Sequence, residues 1–158
     1  MTSSGLSIRQ LELADMDAAA SVHRTAFDHA LPWLAGLHTP EEDRWFYRER
    51  VFTGCQVHGA FEGGALTGII AFRNDWIDQL YVLPEVQGCG IGSELLQVAK
   101  RAFDCLQLWT FQRNLRARRF YEARGFRGGR CAGRNHRLPE LLDRPVVCAA
   151  GSTRTRRR

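Results

Sequence analysis

Leu80-Tyr81-Val82-Leu83-Pro84-Glu85-Val86-Gln87-Gly88-Cys89-Gly90-Ile91-Gly92-Ser93 decides how the rest of the chain is read. An apolar strand stops at Pro84, a short loop follows, and glycines open a helix that carries Ile91, Leu95, Leu96 and Ala99. The first turn of a helix has backbone N–H groups without intrahelical partners and a partial positive charge, which together attract phosphate. Glycine at 88, 90 and 92 removes the side chains that would keep phosphate oxygens away. One such contact contributes about 0.3–1 kcal/mol at an exposed site, so several donors must converge. The spacing G-x-G-x-G misses the dinucleotide fingerprint G-x-G-x-x-G by one position, and no Gly-Lys-Ser/Thr follows, which excludes the nucleotide P-loop. Glycines alone are equally compatible with a tight turn that binds nothing.

A second segment bears on that choice. Asn114-Leu115-Arg116-Ala117-Arg118-Arg119-Phe120-Tyr121-Glu122-Ala123-Arg124-Gly125-Phe126 reads as a helix stopped by glycine. Asn114 and Tyr121 are seven residues apart, about two helical turns, so they project from nearly one face with the small Ala117 between them. Gln87, Gly90 and Gly92 match a Q/R-x-x-G-x-G/A pattern, and Asn114 to Phe126 match N-x-x-A-x-x-F-Y-E-x-x-G-F. Both patterns, in this order and at this separation, resemble the GNAT acetyltransferases, over roughly residues 6–126.

The resemblance implies a GNAT-type α/β fold and an N-acetyltransferase that uses acetyl-CoA as co-substrate. It implies that the backbone of Leu80, Tyr81 and Val82 pairs with the pantetheine arm. Gln87, Gly88, Gly90, Ile91, Gly92 and Ser93 would surround the pyrophosphate, and Asn114 would hydrogen-bond the cofactor arm. Tyr121 would protonate the departing thiolate. The acceptor would be a small-molecule amine or a protein amino group, and family members often dimerise, so a homodimer is an open expectation. A non-catalytic acyl-CoA sensor of the same fold is the alternative function.

Attack by an amine needs a base, because an alkylamine with pKa near about 10.4 is protonated at neutral pH. Simple alternation along Trp76–Val82 puts Asp78 on the face of Trp76, Leu80 and Val82. Asp78 there is either the base, at a position where some family members carry one, or the partner of an arginine or a backbone donor. His58 is a weaker candidate, and Glu122 is expected to face solvent or tie its helix down. The acids in His38-Thr39-Pro40-Glu41-Glu42-Asp43-Arg44-Trp45 are expected first as helix-start residues and second as attractants for a cationic acceptor.

The remaining chain agrees with a mixed sheet covered by helices on both faces, in the order β-α-α-β-β-β-α-β-α-β. The expected elements are a strand from Leu6, a helix from Ala14-Asp15 to about Ala30, and a helix from Thr39 to near Gly54. A hairpin of Cys55–Phe61 and Ala65–Arg73 follows, with strands at Trp76–Leu83 and Leu106–Phe111. After Phe126 the pattern is broken, with Arg144-Pro145-Val146-Val147-Cys148 as a candidate last strand.

At 158 residues the chain suits one domain, assigned to 1–150, with 151–158 as a basic, disordered tail. Five cysteines without a C-x-x-C pair argue for reduced thiols, no metal site and a cytoplasmic setting. No stretch approaches the roughly 20 apolar residues of a membrane span. The net charge of +5 is concentrated after Gly125, but no aromatic residues interleave with the terminal arginines, so nucleic acid is disfavoured as a partner.

Overall fold

The computed structural model describes residues 5–111, 113–129 and 145–151. A seven-stranded sheet runs in the order β1-β2-β3-β4-β5-β7-β6. Its strands are β1 (Ser7–Gln10), β2 (Gln56–Glu62), β3 (Ala65–Arg73), β4 (Trp76–Val82), β5 (Cys105–Phe111), β6 (Arg127–Gly129) and β7 (Pro145–Gly151). The helices are α1 (Met16–Ala30), α2 (Pro40–Phe46), the short α3 (Phe52–Gly54), α4 (Ile91–Ala102) and α5 (Leu115–Glu122). The expected mixed sheet with helices on both faces is present, with one strand more than the expected order. That strand is β7, which lies between β5 and β6 and includes Gly151. Residues 130–144 and 152–158 lie outside the described residues.

Two apolar clusters flank the sheet. Ile69 and Ala71 of β3 meet Met16, Ala19, Ala20 and Val22 of α1 on one face. Ile70 and Phe72 meet Ile91, Leu95, Leu96 and Ala99 of α4 on the other. Because helices cover both faces, Gly68–Phe72 is buried throughout, and the strand reads as a continuous apolar run rather than an alternation. Helix α1 buries residues 16, 19, 20, 22 and 26, a stripe at helical spacing.

Thr39 begins α2 as expected. Its Oγ1 accepts from the Glu42 N–H, and the Glu42 carboxylate accepts from the Thr39 N–H, a reciprocal cap with Pro40 in the first turn. The expected single helix to Gly54 is interrupted by a π-turn at Tyr47–Val51, which buries Tyr47 and Val51 together.

Two departures bear on function. Strands β4 and β5 are parallel and pair only at Trp76 with Gln107. Beyond that pair they diverge. Strand β4 also carries a bulge, since Ala71 faces Gln79 and Phe72 faces Ile77, which leaves Asp78 as the extra residue. The bulge overturns the simple alternation. Ile77, Leu80 and Val82 pack toward α4, whereas Tyr81 packs toward α1. Asp78 therefore does not share the face of Leu80 and Val82. Its carboxylate instead meets Cys55, itself packed against the α1-side cluster.

Leu95 is fully buried between α4 and the sheet. Leu95→Ala is expected to destabilise the fold by about 2–5 kcal/mol, read as a lower urea midpoint with an unchanged slope.

Candidate active site

The divergence of β4 and β5 opens a cavity of about 590 Å³ that takes lining residues from both faces of the sheet. Asn114, Ala117 and Tyr121 come from the α5 side, His23 and Phe27 from α1, and Asp78, Leu80 and Tyr81 from β4. The edge of β4 that faces β5 has no strand partner past Trp76 among the described residues. Such an edge can accept an extended, amide-bearing ligand as an added strand.

Beside the cavity, the loop after β4 leads into α4. Gly90 is the residue before the helix, with φ +86°, and Gly88 has φ +80°. A Cβ at either position would meet nothing within 4 Å, so the glycines serve the left-handed backbone and leave the turn open. The first-turn N–H groups of α4 have no intrahelical partners. Gly92 has a different reason. A Cβ there would come within 3.1 Å of Phe120, so this glycine lets α5 pack on α4. The side chain of Ile91 is buried in the core, which leaves only its backbone for a ligand.

A model of the GNAT acetyltransferase family matches residues 19–126. The chain belongs to that family. An uncharacterised N-acetyltransferase of Archaeoglobus fulgidus is 34% identical over 80 residues, which are 40% of this chain and 54% of that protein. The chain thus spans about half the length of the curated relative it matches. Among solved structures, the apo form of YjaB from Escherichia coli superposes with a TM-score of 0.73 at 20% identity, covering 94% of this chain and 98% of that one. The yncA protein of Salmonella typhimurium, solved with its cofactor acetyl-CoA, superposes with a TM-score of 0.65 at 20% identity, covering 94% of each chain. At that identity these two likenesses concern the fold.

The GNAT cavity gathers Asp78, Leu80, Tyr81, Asn114 and Tyr121, the candidates on β4 and α5. Val82, Gln87, Gly88, Gly90, Ile91, Gly92 and Ser93 stand outside it, around the start of α4. Gln87 Nε2 donates to the carbonyl of Val82 at 2.9 Å, so this side chain ties the loop to the strand end. Asn114 is the residue before α5, and its Oδ1 accepts from the Ala117 N–H at 3.2 Å. That cap commits the oxygen and leaves the amide NH₂ as the group that can meet a ligand. Tyr121 is nearly buried and packs against Phe120 and Phe126 while still lining the cavity. Asp78 Oδ2 lies 3.0 Å from Arg73 Nε and accepts from the Cys55 thiol at 3.1 Å. His58 lies elsewhere, stacked on Phe72, and does not line the cavity. Glu122 is exposed, with Arg118 one turn away at 4.0 Å.

The acids of 41–43 have partners of their own. Asp43 lies 2.6 Å from Arg24, Glu41 lies 3.0 Å from Arg44, and Glu42 caps its helix. Their helix-start role accounts for Glu41 and Glu42, while Glu42 and Asp43 also form part of the cavity wall.

Two residues escaped the sequence reading. Arg124 donates through Nε to Ser93 Oγ at 2.9 Å and through Nη1 to the Phe120 carbonyl, with its guanidinium 3.8 Å from the Phe120 ring. It fixes a positive charge beside the first turn of α4. His23 occupies the inward stripe of α1, where a polar residue among Ala19, Ala20 and Ala26 was the available signal. It stacks on Tyr81 at 4.3 Å and is hydrogen-bonded through Nδ1 to the Tyr47 hydroxyl at 2.7 Å. Burial pushes its pKa down to about 4, against the opposing pull of Asp43, so the ring is neutral near pH 7. Burial also raises the phenols of Tyr47 and Tyr81, which keep their protons. The Cys55 thiol is pushed up to about 12, first by burial and then by its bond to Asp78.

Two outcomes are expected. His23 takes up its proton at pH 6.5 when unfolded and at about 4 when folded, so the unfolded chain binds the proton first and stability declines as pH falls through that window. Urea midpoints between pH 7.5 and 5 should fall less steeply for His23→Gln than for the parent, with His58 supplying a residual slope of the same sign. Iodoacetamide at pH 8, mapped by mass spectrometry, should label exposed Cys89 and Cys105 well before Cys55; equal labelling would contradict the burial of that thiol.

Proposed function

We propose that the chain is an N-acetyltransferase that moves an acetyl group from acetyl-CoA to an amine by direct attack. The observation that carries the proposal is the continuity of three features: the unpaired edge of β4, the open glycine turn before α4, and the cavity that Tyr121 and Asp78 both line. Acetyl-CoA supplies an activated acyl group as a thioester. The backbone edge of Leu80, Tyr81 and Val82 holds the pantetheine arm as an added strand, and the NH₂ of Asn114 hydrogen-bonds it. The N–H groups of Gly88–Ser93 hold the pyrophosphate, with the charge of Arg124 alongside.

Asp78, directly or through a water, takes the proton of the acceptor ammonium and so frees its lone pair. The amine nitrogen then bonds to the carbonyl carbon as the carbon–sulfur bond breaks. The nitrogen, positively charged once bonded, gives a second proton to water, while Tyr121 gives its phenolic proton to the departing thiolate and recovers one from solvent. Asp78 returns its proton to solvent, so the products are the amide, free CoA thiol and one released proton. The acceptor approaches from the side of the first two helices, α1 and α2, whose residues line one wall of this cavity. A protein of this kind works where acetyl-CoA is present, in the cytoplasm, and no helix among the described residues is long and apolar enough to cross a membrane. A sensor would need the glycine turn but not Tyr121 and Asp78 on one cavity wall.

Calorimetric titration of acetyl-CoA should show binding that Gly90→Asp weakens at least about tenfold, because its carboxylate would face the pyrophosphate. A thermal melt checks that the variant is folded. No binding by the parent protein at millimolar ligand would remove the proposal. Tyr121→Phe should retain acetyl-CoA binding and lower kcat by about 10²-fold or more; an unchanged kcat would point to another acid.

A further inference from the structure

Eight large apolar residues are exposed among the described ones, and four of them, Leu37, Trp45, Phe46 and Trp109, line this one cavity. Trp33, next in sequence to the cavity-lining Leu34, has the Arg113 guanidinium 4.1 Å from its ring. Deeper in, Phe27 meets Phe111 edge-on at 6.4 Å, and Trp109 meets Phe111 at 5.4 Å. The rings come from three separate elements, α1, α2 and β5, so no single helix face explains their convergence. Exposed apolar surface concentrated in one concavity marks a binding wall rather than scattered surface residues.

The polar part of the wall has one dominant sign. Asp28, Glu42, Asp43 and Asp78 line the cavity together with one arginine, Arg24. Arg73 approaches Asp78 to 3.0 Å without lining the wall, and His38 lies 3.4 Å from Glu42. Arg24 is engaged by Asp43 at 2.6 Å and lies 4.0 Å from Asp28. His23 is neutral and does not offset the carboxylates. A cation is thus favoured at the carboxylates, while the rings favour an apolar, flat group beside it and penalise a second charge.

We infer that the acceptor is a small amine whose ammonium is joined by a short chain to an aromatic group. This rests on the acetyltransferase reading and adds the class of its second substrate. The aromatic group lies against Phe27, Phe46, Trp109 and Phe111. The ammonium enters on the carboxylate side, near Asp78. A cavity of about 590 Å³ suits a small molecule together with the reacting end of the cofactor better than a folded protein surface. Linear polyamines and amino sugars match the charge but not the wall.

The test is a competition of 2-phenylethylamine and tryptamine against spermidine, glucosamine and a short peptide with a free N-terminus, with acetylated products quantified by mass spectrometry. The aromatic amines should be favoured at least about tenfold in kcat/KM, the gain expected from burying one ring. Phe46→Ala and, separately, Leu37→Ala should erase most of that preference while the acetyl-CoA Kd measured by calorimetry stays within twofold. Asp28→Asn should raise KM for the aromatic amines more than it lowers kcat. Acetyl-CoA binding with equal or better turnover of spermidine, glucosamine or the peptide would overturn the inference and leave the acetyltransferase reading standing. So would binding with no amine acetylated. Lower melting temperatures for Phe46→Ala and Leu37→Ala with the amine preference intact would show that the wall serves only the packing of this chain, and would also overturn it. Absence of acetyl-CoA binding would remove the enzymatic reading and this inference with it.

Discussion

Strands β4 and β5 are joined at one place. The Gln107 N–H donates to the Asp75 carbonyl at 2.7 Å, its side-chain amide donates to the Asp75 carboxylate at 2.7 Å, and Trp76 pairs with Gln107. Everything beyond that clamp diverges. A parallel pair normally continues its ladder, because every unpaired N–H and C=O in an interior sheet forfeits a hydrogen bond. Here the ladder is given up, and the β4 edge is left without a strand partner past Trp76 among the described residues. The bulge at Asp78 belongs to the same device, since it re-aims the outgoing half of β4 just after the clamp.

The gap has a consequence that a closed sheet would not allow. Helices α1 and α5 lie on opposite faces, and in a continuous sheet their side chains would never share a site. Because the sheet opens, His23 and Phe27 of α1 line the same cavity as Asn114 and Tyr121 of α5. The acid of the proposed reaction comes from one face, and part of the acceptor wall comes from the other. The two apolar clusters hold these helices at fixed distances from the gap, so core packing and site geometry are one problem.

The glycines around α4 serve two unlike ends. Gly88 and Gly90 have positive φ and open surroundings, which suits an anion approaching the backbone. Gly92 is closed over by Phe120, which seats α5 and with it Tyr121. A single motif therefore combines an open, left-handed turn with the packing contact that positions the neighbouring helix α5.

Much of this was legible in the residues. The cap at Thr39, the helix stripes of α1 and α4, the Gly63-Gly64 hairpin and the glycine turn all arise from local rules that act over a few positions. The resemblance of residues 87–92 and 114–126 to a known family correctly paired two motifs that meet in space. Three things were not legible, each because it depends on a distant partner. Asp78 sits on its own face because β4 bulges against Ala71 and Phe72 of β3, and period-two counting cannot see a bulge. Strand β7 was legible as a candidate over residues 144–148, but its place between β5 and β6 was not, because it rests on ladders with both. The cavity wall gathers residues from positions 23 to 121 that no spacing connects. The sequence by itself determined most of the elements, the open glycine turn before α4 and the helical spacing of Asn114 and Tyr121, because these follow from local backbone chemistry. Only the tertiary structure decided what faces the gap, because that depends on where two strands stop pairing.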